Sequence, residues 1–403
     1  MKSSTTFRSR LVIAATAAVI VVSVTAPRVG AASPASRATP KPVGEFVSVS
    51  CVSPSACMAV GKAPGTVNGI ASTAALAEWW NGTRWTVEKT AVPLGAVLMQ
   101  VYGVSCAAST FCAMVGNYVD ANDNLFLLAE VWNGSTWTLA KTARPKSTAS
   151  RTGDTFSGVS CVKFDHCVAV GYYQPSAGPF QALIETGGSS WAVATNKAPS
   201  GGGLDGVSCV SATACMAVGD SVNQSSSKVS NMAEVLTSTG WKVTTTPDRG
   251  SEENSLISVS CASRAACVAV GAEGASTFTI SLLDWNGKRW TAAKVSPPAG
   301  SSLSSLGWVS CVTAESCVAI GSYGVTDSML AAKWNGRTLK TIAKPLTPSG
   351  GSLASLEGIS CRSATWCEAV GSYITKASEA PLAEIWNGKT WRIVSPTSTT
   401  EPK

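Results

Sequence analysis

Every one of the fourteen cysteines in this 403-residue chain belongs to a Cys-x5-Cys pair. The pairs are Cys51/Cys57, Cys106/Cys112, Cys161/Cys167, Cys209/Cys215, Cys261/Cys267, Cys311/Cys317 and Cys361/Cys367. Thiols at that spacing have two chemistries open to them, a disulfide across a tight turn or metal ligation. Zinc sites use closer Cys-x2–4-Cys spacing with additional cysteine or histidine partners, and the chain has one histidine, His166, at a hairpin tip. A disulfide in each pair is therefore expected, and no metal or other cofactor. Pairing Cys209 with Cys215 sets Val210 opposite Ala214 and leaves a three-residue tip, a common hairpin length that holds the two cysteines within bridging distance. Closing so short a loop stabilises by roughly 2–3 kcal/mol on the chain-entropy account.

Carboxylates and tyrosines also recur at fixed positions. Glu78, Glu130, Glu185, Glu234 and Glu384 share one place, two residues before a third-strand aromatic or its equivalent. Paired carboxylates could do acid–base work. One per repeat in mid-strand points instead to structural hydrogen bonding, because a charge inside a packed sheet needs partners. Tyr118, Tyr173, Tyr323 and Tyr373 lie two residues after a recurring glycine, and Tyr172 is adjacent to one of them. These five are the candidate ligand-binding residues, against the plainer role of packing beneath loops. The segment DANDN from Asp120 has the look of a calcium loop, but Leu125 stands where that loop needs glycine and Val131 where it needs an acid. Asn81 and Asn133 fit glycosylation acceptors, though a turn explains them fully.

What must position these groups is a repeat. The cysteine pairs recur at intervals of 48 to 55 residues, and each is followed by Ala-Val-Gly or a near relative. Further on comes a segment such as LAEVWNGSTW from Leu128, with counterparts from Leu76, Leu282 and Leu382. Each repeat thus reads as four strands, GVSC-like, CMAVG-like, LAEVW-like and WTL-like. Asn-Gly between the third and fourth is a strong hairpin signal, because both residues tolerate positive φ. Whether that turn holds two or four residues, the two tryptophans of Trp-Asn-Gly-x-x-Trp fall on one face. Small residues crowd the first two strands and tryptophans the last two, which suits a wedge-shaped blade. The second-to-third connections, such as KAPGTVNGIASTA after Gly61, are expected as long, dissimilar loops on one face. The fold class follows: all-β, a seven-bladed β-propeller, four antiparallel strands per blade and one intra-blade disulfide per blade.

An apolar strand ending in glycine, then an aromatic strand, a turn and a tryptophan: this order resembles the kelch propeller repeat over residues 44 to 396. It departs from kelch in having one glycine, followed by Lys62, Asn117, Tyr172 or Asp220. The chain is also similar to secreted actinobacterial proteins with Cys-x5-Cys and Trp-Asn-Gly repeats. Neither resemblance implies a specific activity.

The N-terminus has Lys2, Arg8 and Arg10, an apolar run from Leu11 to Thr25, and small residues at Val29 to Ser33. That is the order of a secretory signal peptide. The expected organisation is a signal peptide at 1–32, a Pro/Ser/Ala-rich linker at 33–44, the propeller at 45–396 and a tail at 397–403. Loss of the leader takes the formal charge from +7 to +3, since Lys2, Arg8, Arg10 and Arg28 go with it. No basic patch remains to bind nucleic acid, and no later segment is apolar enough to span a membrane. The expectation is an exported or wall-associated monomer that binds an extracellular glycan or protein without catalysis. The alternative is an extracellular glycoside hydrolase or polysaccharide lyase, which would require Asp120, Asp123, Asp220 or Glu273 to converge over the axis.

Overall fold

The first repeat shows how these residues build a sheet. Its strands are β1 (Glu45–Ser53), β2 (Ala56–Val67), β3 (Ile70–Trp80) and β4 (Trp85–Val87), hydrogen-bonded in that order and all antiparallel. The computed structural model describes residues 43–145, 153–247, 252–275, 277–295, 298, 301, 303–394 and 396. The expected leader, linker residues 33–42 and the tail at 397–403 lie outside them. The same four-strand unit recurs with every cysteine pair, giving 28 strands among the described residues. Five units stand as separate four-stranded sheets. The units of Cys209/Cys215 and Cys261/Cys267 join as one eight-stranded sheet through a single parallel pairing, Val229 with Glu253. The molecule is an all-β propeller with four antiparallel strands per blade and a disulfide in each.

All seven expected disulfides form, and among the described residues no cysteine is free. Each bridges directly opposed residues of the first two strands, with Cα atoms 3.9–4.0 Å apart. The second-strand partners are core residues. Cys57, Cys112, Cys167, Cys317 and Cys367 are only 0–2% exposed. The second strand lies between the first and the third, and between its cysteine and its glycine the side chains are buried against neighbouring repeats. The hairpin tip differs from the expected one. Ser211 pairs with Ala214, so the turn has two residues and Val210 is bulged out of register. The extra residue is absorbed as twist, which leaves the cysteine register intact.

The short Cα separation marks a pair that does not exchange ladder hydrogen bonds, so each first-strand cysteine turns its N–H to the strand's other edge. That edge is the innermost of the sheet and has no strand beside it. An unpaired backbone N–H there would be costly. The serine of the preceding repeat's Val-Ser-Cys segment or its equivalent supplies the acceptor. Cys106 N–H donates to Ser50 Oγ, Cys161 to Ser105, Cys209 to Ser160, Cys261 to Ser208, Cys311 to Ser260 and Cys361 to Ser310, at 2.9–3.0 Å. The last such bond returns to the start, from Cys51 N–H to Ser360 Oγ at 3.0 Å.

Packing follows the same circuit. Each hydrophobic cluster is shared by two successive units, for example Met58 and Val60 with Met99, Met114 and Trp132. One unites the final unit with the first, through Val370, Ala383 and Ile385 against Phe46, Trp80 and Trp85. The paired tryptophans lie directly opposite one another, as Trp80/Trp85 and Trp132/Trp137 do with ring centroids 5.5 and 5.7 Å apart. The Trp-Asn-Gly turn has four residues. Asn81 Oδ1 accepts from the N–H groups of Thr83 and Arg84, and Gly82 takes φ 93°.

The recurring second-strand glycine has a steric cause. A Cβ on Gly61, Gly116, Gly171, Gly219, Gly271, Gly321 or Gly371 would collide with a first-strand carbonyl oxygen, Glu45 in the first case and Gly203 in the fourth. Opposite each glycine the first strand carries a β-bulge, which drives that carbonyl inward. The segment after Gly61 is not a loop. β2 and β3 continue through it as a long hairpin whose turn is Asn68-Gly69, both at positive φ. The Asn-Gly rule that predicted the outer turns applies equally here.

Candidate functional site

The antiparallel registers place the starts of the first strands, the residues after the second-strand glycines and the starts of the third strands at one end of the sheets. The disulfides and Trp-Asn-Gly turns occupy the other end. The first end carries the uneven chemistry. The residue skipped at the first-strand bulge is Val47, Tyr102, Ser157, Asp205, Ile257, Gly307 or Glu357, according to repeat. The backbone device is constant and its side chain is not.

Four successive repeats, counted from the seventh through the first to the third, bring polar groups together there. Lys62 forms an ion pair with Glu45 at 2.9 Å. Gly44 N–H donates to the Glu379 carbonyl at 3.1 Å, and Ser372 Oγ donates to the Glu379 carboxylate at 2.7 Å. Glu379 lies within electrostatic reach of Glu45. Tyr102, 39% exposed, donates to Gln100 Oε1 at 2.9 Å and lies within electrostatic reach of Lys62, Glu45 and Tyr172. Asn117 donates to Thr155 Oγ1 of the next repeat at 2.9 Å.

Electrostatics follow from this crowding. Burial, with the Glu45 and Glu379 charges added, pushes Glu357 up to about 7, while a hydrogen bond from Ser355 and the Lys62 charge oppose the rise. Glu379 is raised as well, by burial first and then by Glu45. Burial works against the Lys62 ammonium, but Glu45 outweighs it and its pKa stands above the ordinary value.

The candidate tyrosines divide. Tyr172 belongs with this cluster and packs edge-on against Phe180. Tyr118 stacks on Phe126 at 4.9 Å, half-buried against the seam of the first two repeats. Tyr173, Tyr323 and Tyr373 are half-buried against three other seams. The structure therefore spreads these four around the ring. Tyr102, Glu45, Glu357 and Glu379 were missed by sequence reasoning. The one available signal was that they sit where a repeating pattern stops repeating.

The repeated glutamates are structural. Glu78, Glu130, Glu185, Glu234 and Glu384 are wholly buried. Glu130 accepts from Ala91 N–H at 2.7 Å, Glu185 from Ala143 at 3.0 Å, Glu234 from Lys197 at 3.2 Å and Glu384 from Leu346 at 3.0 Å. Each donor belongs to the segment that leaves the preceding repeat. Burial pushes Glu130 up to about 8, and Glu185, Glu234 and Glu384 up to about 7, against the pull of those N–H groups. Glu368 is a different case. It is wholly buried in the second strand of the last repeat, where the other repeats carry Met58, Ala113, Val168, Met216, Val268 and Val318. Neither of its oxygens has a hydrogen-bond partner among the described residues, and burial raises it well above the ordinary range.

Asp120 closes its own turn, accepting from the N–H groups of Asn122 and Asn124 and from the Asn124 amide. Asp220 accepts from Ser255 Oγ at 2.7 Å, and Glu273 is buried at the position of the tyrosines, two residues after Gly271. Asp123 takes φ 60° in the Asp120 turn. These four fall in three different repeats. His166 Nδ1 lies 3.1 Å from the Phe164 carbonyl on an exposed tip. Among the described residues no group of three or more His, Cys, Asp or Glu side chains could hold a metal, and no helix is long and apolar enough to cross a membrane.

Fold and site together define a disulfide-stapled β-propeller with a polar cluster at one end of its sheets. No family model and no curated protein matches the chain. Solved structures similar to it include YCF48 bound to D1 peptide, 12% identical, with 90% of this chain and 96% of that one covered and a TM-score of 0.49. Another is Sqt1 from Chaetomium thermophilum bound to the N-terminus of ribosomal protein L10, 10% identical, with 89% and 88% covered and a TM-score of 0.49. The fucose-specific lectin from Aleuria aurantia is 12% identical, with 89% and 99% covered and a TM-score of 0.41. Likeness this distant carries no argument about the ligand of the present chain.

Proposed function

We propose that this is a secreted, non-catalytic binding protein built as a seven-bladed propeller, with the eight-stranded sheet counting as two blades. The blade count is supported by the circuit of Ser–Cys hydrogen bonds, which returns from Ser360 to Cys51. Secretion is supported by the leader-like N-terminus and by disulfides that persist in oxidising compartments. The kelch-like order of strands and the actinobacterial motifs belong to the same reading.

The observation that carries the function is the contrast at the first-strand bulge. Backbone and surroundings repeat around the ring, while the bulged residue changes from Val47 to Tyr102 to Glu357. A rigid scaffold that varies only what it displays at one end is a recognition surface. The ligand is an extracellular glycan or protein, met by the Tyr102 and Tyr172 rings, the carboxylates of Glu357 and Glu379, and the Lys62 ammonium. Tyr118, Tyr173, Tyr323 and Tyr373 border this surface with their exposed edges. The hydrolase alternative is disfavoured because Asp120, Asp123, Asp220 and Glu273 fall in three different repeats, with Asp120 and Asp220 engaged in hydrogen bonds of their own. Glycosidase carboxylates stand about 5–5.5 Å apart in retaining enzymes and about 6.5–9.5 Å in inverting ones.

The test is a glycan array and an extracellular-protein panel probed with residues 33–403, then with Tyr102→Ala and Glu357→Gln. Binding that weakens at least about tenfold in both variants with unchanged melting supports this face. Reducing-sugar release from a polysaccharide panel would establish the enzyme instead.

A further inference from the structure

At the opposite end, between the first and second repeats, lies a cavity of about 370 Å³. That is within the roughly 300–1,000 Å³ range of small-molecule sites. Two of its walls break the repeat. Trp79 stands where the other repeats have Val131, Thr186, Val235, Asp284, Lys333 and Ile385. Glu88 stands where they have Ala140, Ala194, Thr244, Ala293, Ile342 and Val394. The backbone at the second position is unchanged. Glu88 N–H donates to the Ala77 carbonyl at 2.8 Å just as Ala140 N–H donates to Ala129 and Val394 N–H to Ala383. Only the side chains have been replaced, and both replacements line the one cavity.

The second repeat supplies the remaining wall from two turns, Ser109-Thr110 at the disulfide hairpin and Gly134-Ser135 in the Trp-Asn-Gly turn. Trp132 donates its Nε1 proton to the Ser109 carbonyl at 3.2 Å, which holds that tip in place. The hydroxyls of Ser109 and Thr110 have no partner among the described residues, nor does the Glu88 carboxylate. Glu88 is nonetheless half-buried, and burial alone raises its pKa. A carboxylate drawn out of water without a donor is unfavourable unless something else supplies one.

The geometry points to a carbohydrate-binding site here: a pyranose ring lying against the Trp79 indole, two of its hydroxyls donating to Glu88, and others meeting Ser109 and Thr110. The aromatic face meets the apolar C–H face of the sugar while acceptors and hydroxyls take its rim. The site is on the end away from the bulged residues and stands independently of the function proposed for them.

Saturation-transfer NMR of residues 33–403 with a panel of methyl pyranosides tests this, repeated with Glu88→Ala and Trp79→Val. Both substitutions restore residues that other repeats carry at these positions, so the fold should tolerate them, and melting curves check that it does. The expected result is transfer to at least one pyranoside, with affinity about tenfold or more weaker in each variant, the loss of one charge-assisted hydrogen bond or one stacking face. The losses caused by Glu88→Ala and Trp79→Val should be the same in a Tyr102→Ala background, which separates this site from recognition at the other end. Absence of transfer to every pyranoside would overturn the assignment, as would binding that survives both substitutions. Transfer to tetramethylammonium alone would assign the cavity to cations, which aromatic and carboxylate walls also attract, and would equally overturn it.

Discussion

Ser360 Oγ accepts the backbone N–H of Cys51 at 3.0 Å, across 309 positions of sequence. The same contact, with the same atoms, joins every other pair of successive repeats. The first and last repeats are therefore joined as neighbours within the chain are.

One consequence concerns ring closure. Ser360→Ala and Ser160→Ala should each lower the unfolding free energy by about 1 kcal/mol, the net worth of one such bond. Urea denaturation of both variants checks this. A Ser360→Ala protein as stable as the parent would mean an open array, and the shared-cluster packing of Trp80 and Trp85 with Ile385 would have to be abandoned.

The buried glutamates make stability depend on pH in a set direction. The folded-state pKa values of Glu130, Glu185, Glu234 and Glu384 lie above the unfolded value. The folded chain therefore binds more protons in that window. Stability is fully present below about pH 4.5 and is lost as pH rises through about 7 to 8. Melting temperatures measured from pH 5 to 8.5 should fall, and the fall should be shallower in Glu130→Gln.

Glu368 is the residue whose replacement should stabilise. Its position is apolar in the other repeats, and it faces burial without a hydrogen-bond partner among the described residues. Glu368→Met, the residue present at Met58 and Met216, should raise the melting temperature at pH 8.5 and do so less at pH 5, because burial disfavours the charged carboxylate. An equal gain at both pH values would show that shape rather than charge sets the cost.

Tyr323 and Tyr102 should separate packing from display. Tyr323→Ala removes a ring packed at the seam of the Cys261 and Cys311 repeats and should cost about 2–4 kcal/mol. Tyr102→Phe removes only a hydroxyl at a 39% exposed position and should leave melting within about a degree of the parent. Thermal unfolding of the two variants side by side is sufficient.

Spacing alone made several features legible. Cys-x5-Cys joins opposed strands because side chains on a strand alternate. The tryptophan pairs share a face for the same reason. The small-to-large gradient placed the Val-Ser-Cys strand innermost, where the structure has it. The hairpin tip escaped, because the bulge at Val210 changes pairing without changing residue count. The Asn68-Gly69 hairpin is not legible in the irregular composition around it, although its turn signal is present.

The partners of the polar groups could not be read from the chain. Ser50 lies 56 positions from the Cys106 N–H it accepts, Glu130 lies 39 from Ala91, and Glu45 meets Glu379 only where the ends of the array adjoin. Local sequence determines strands, turns and disulfides because those depend on neighbours a few residues apart. Which carboxylate is buried, which tyrosine is displayed and where a cavity opens depend on how one repeat is laid against the next, and only the closed packing of the sheets decides that.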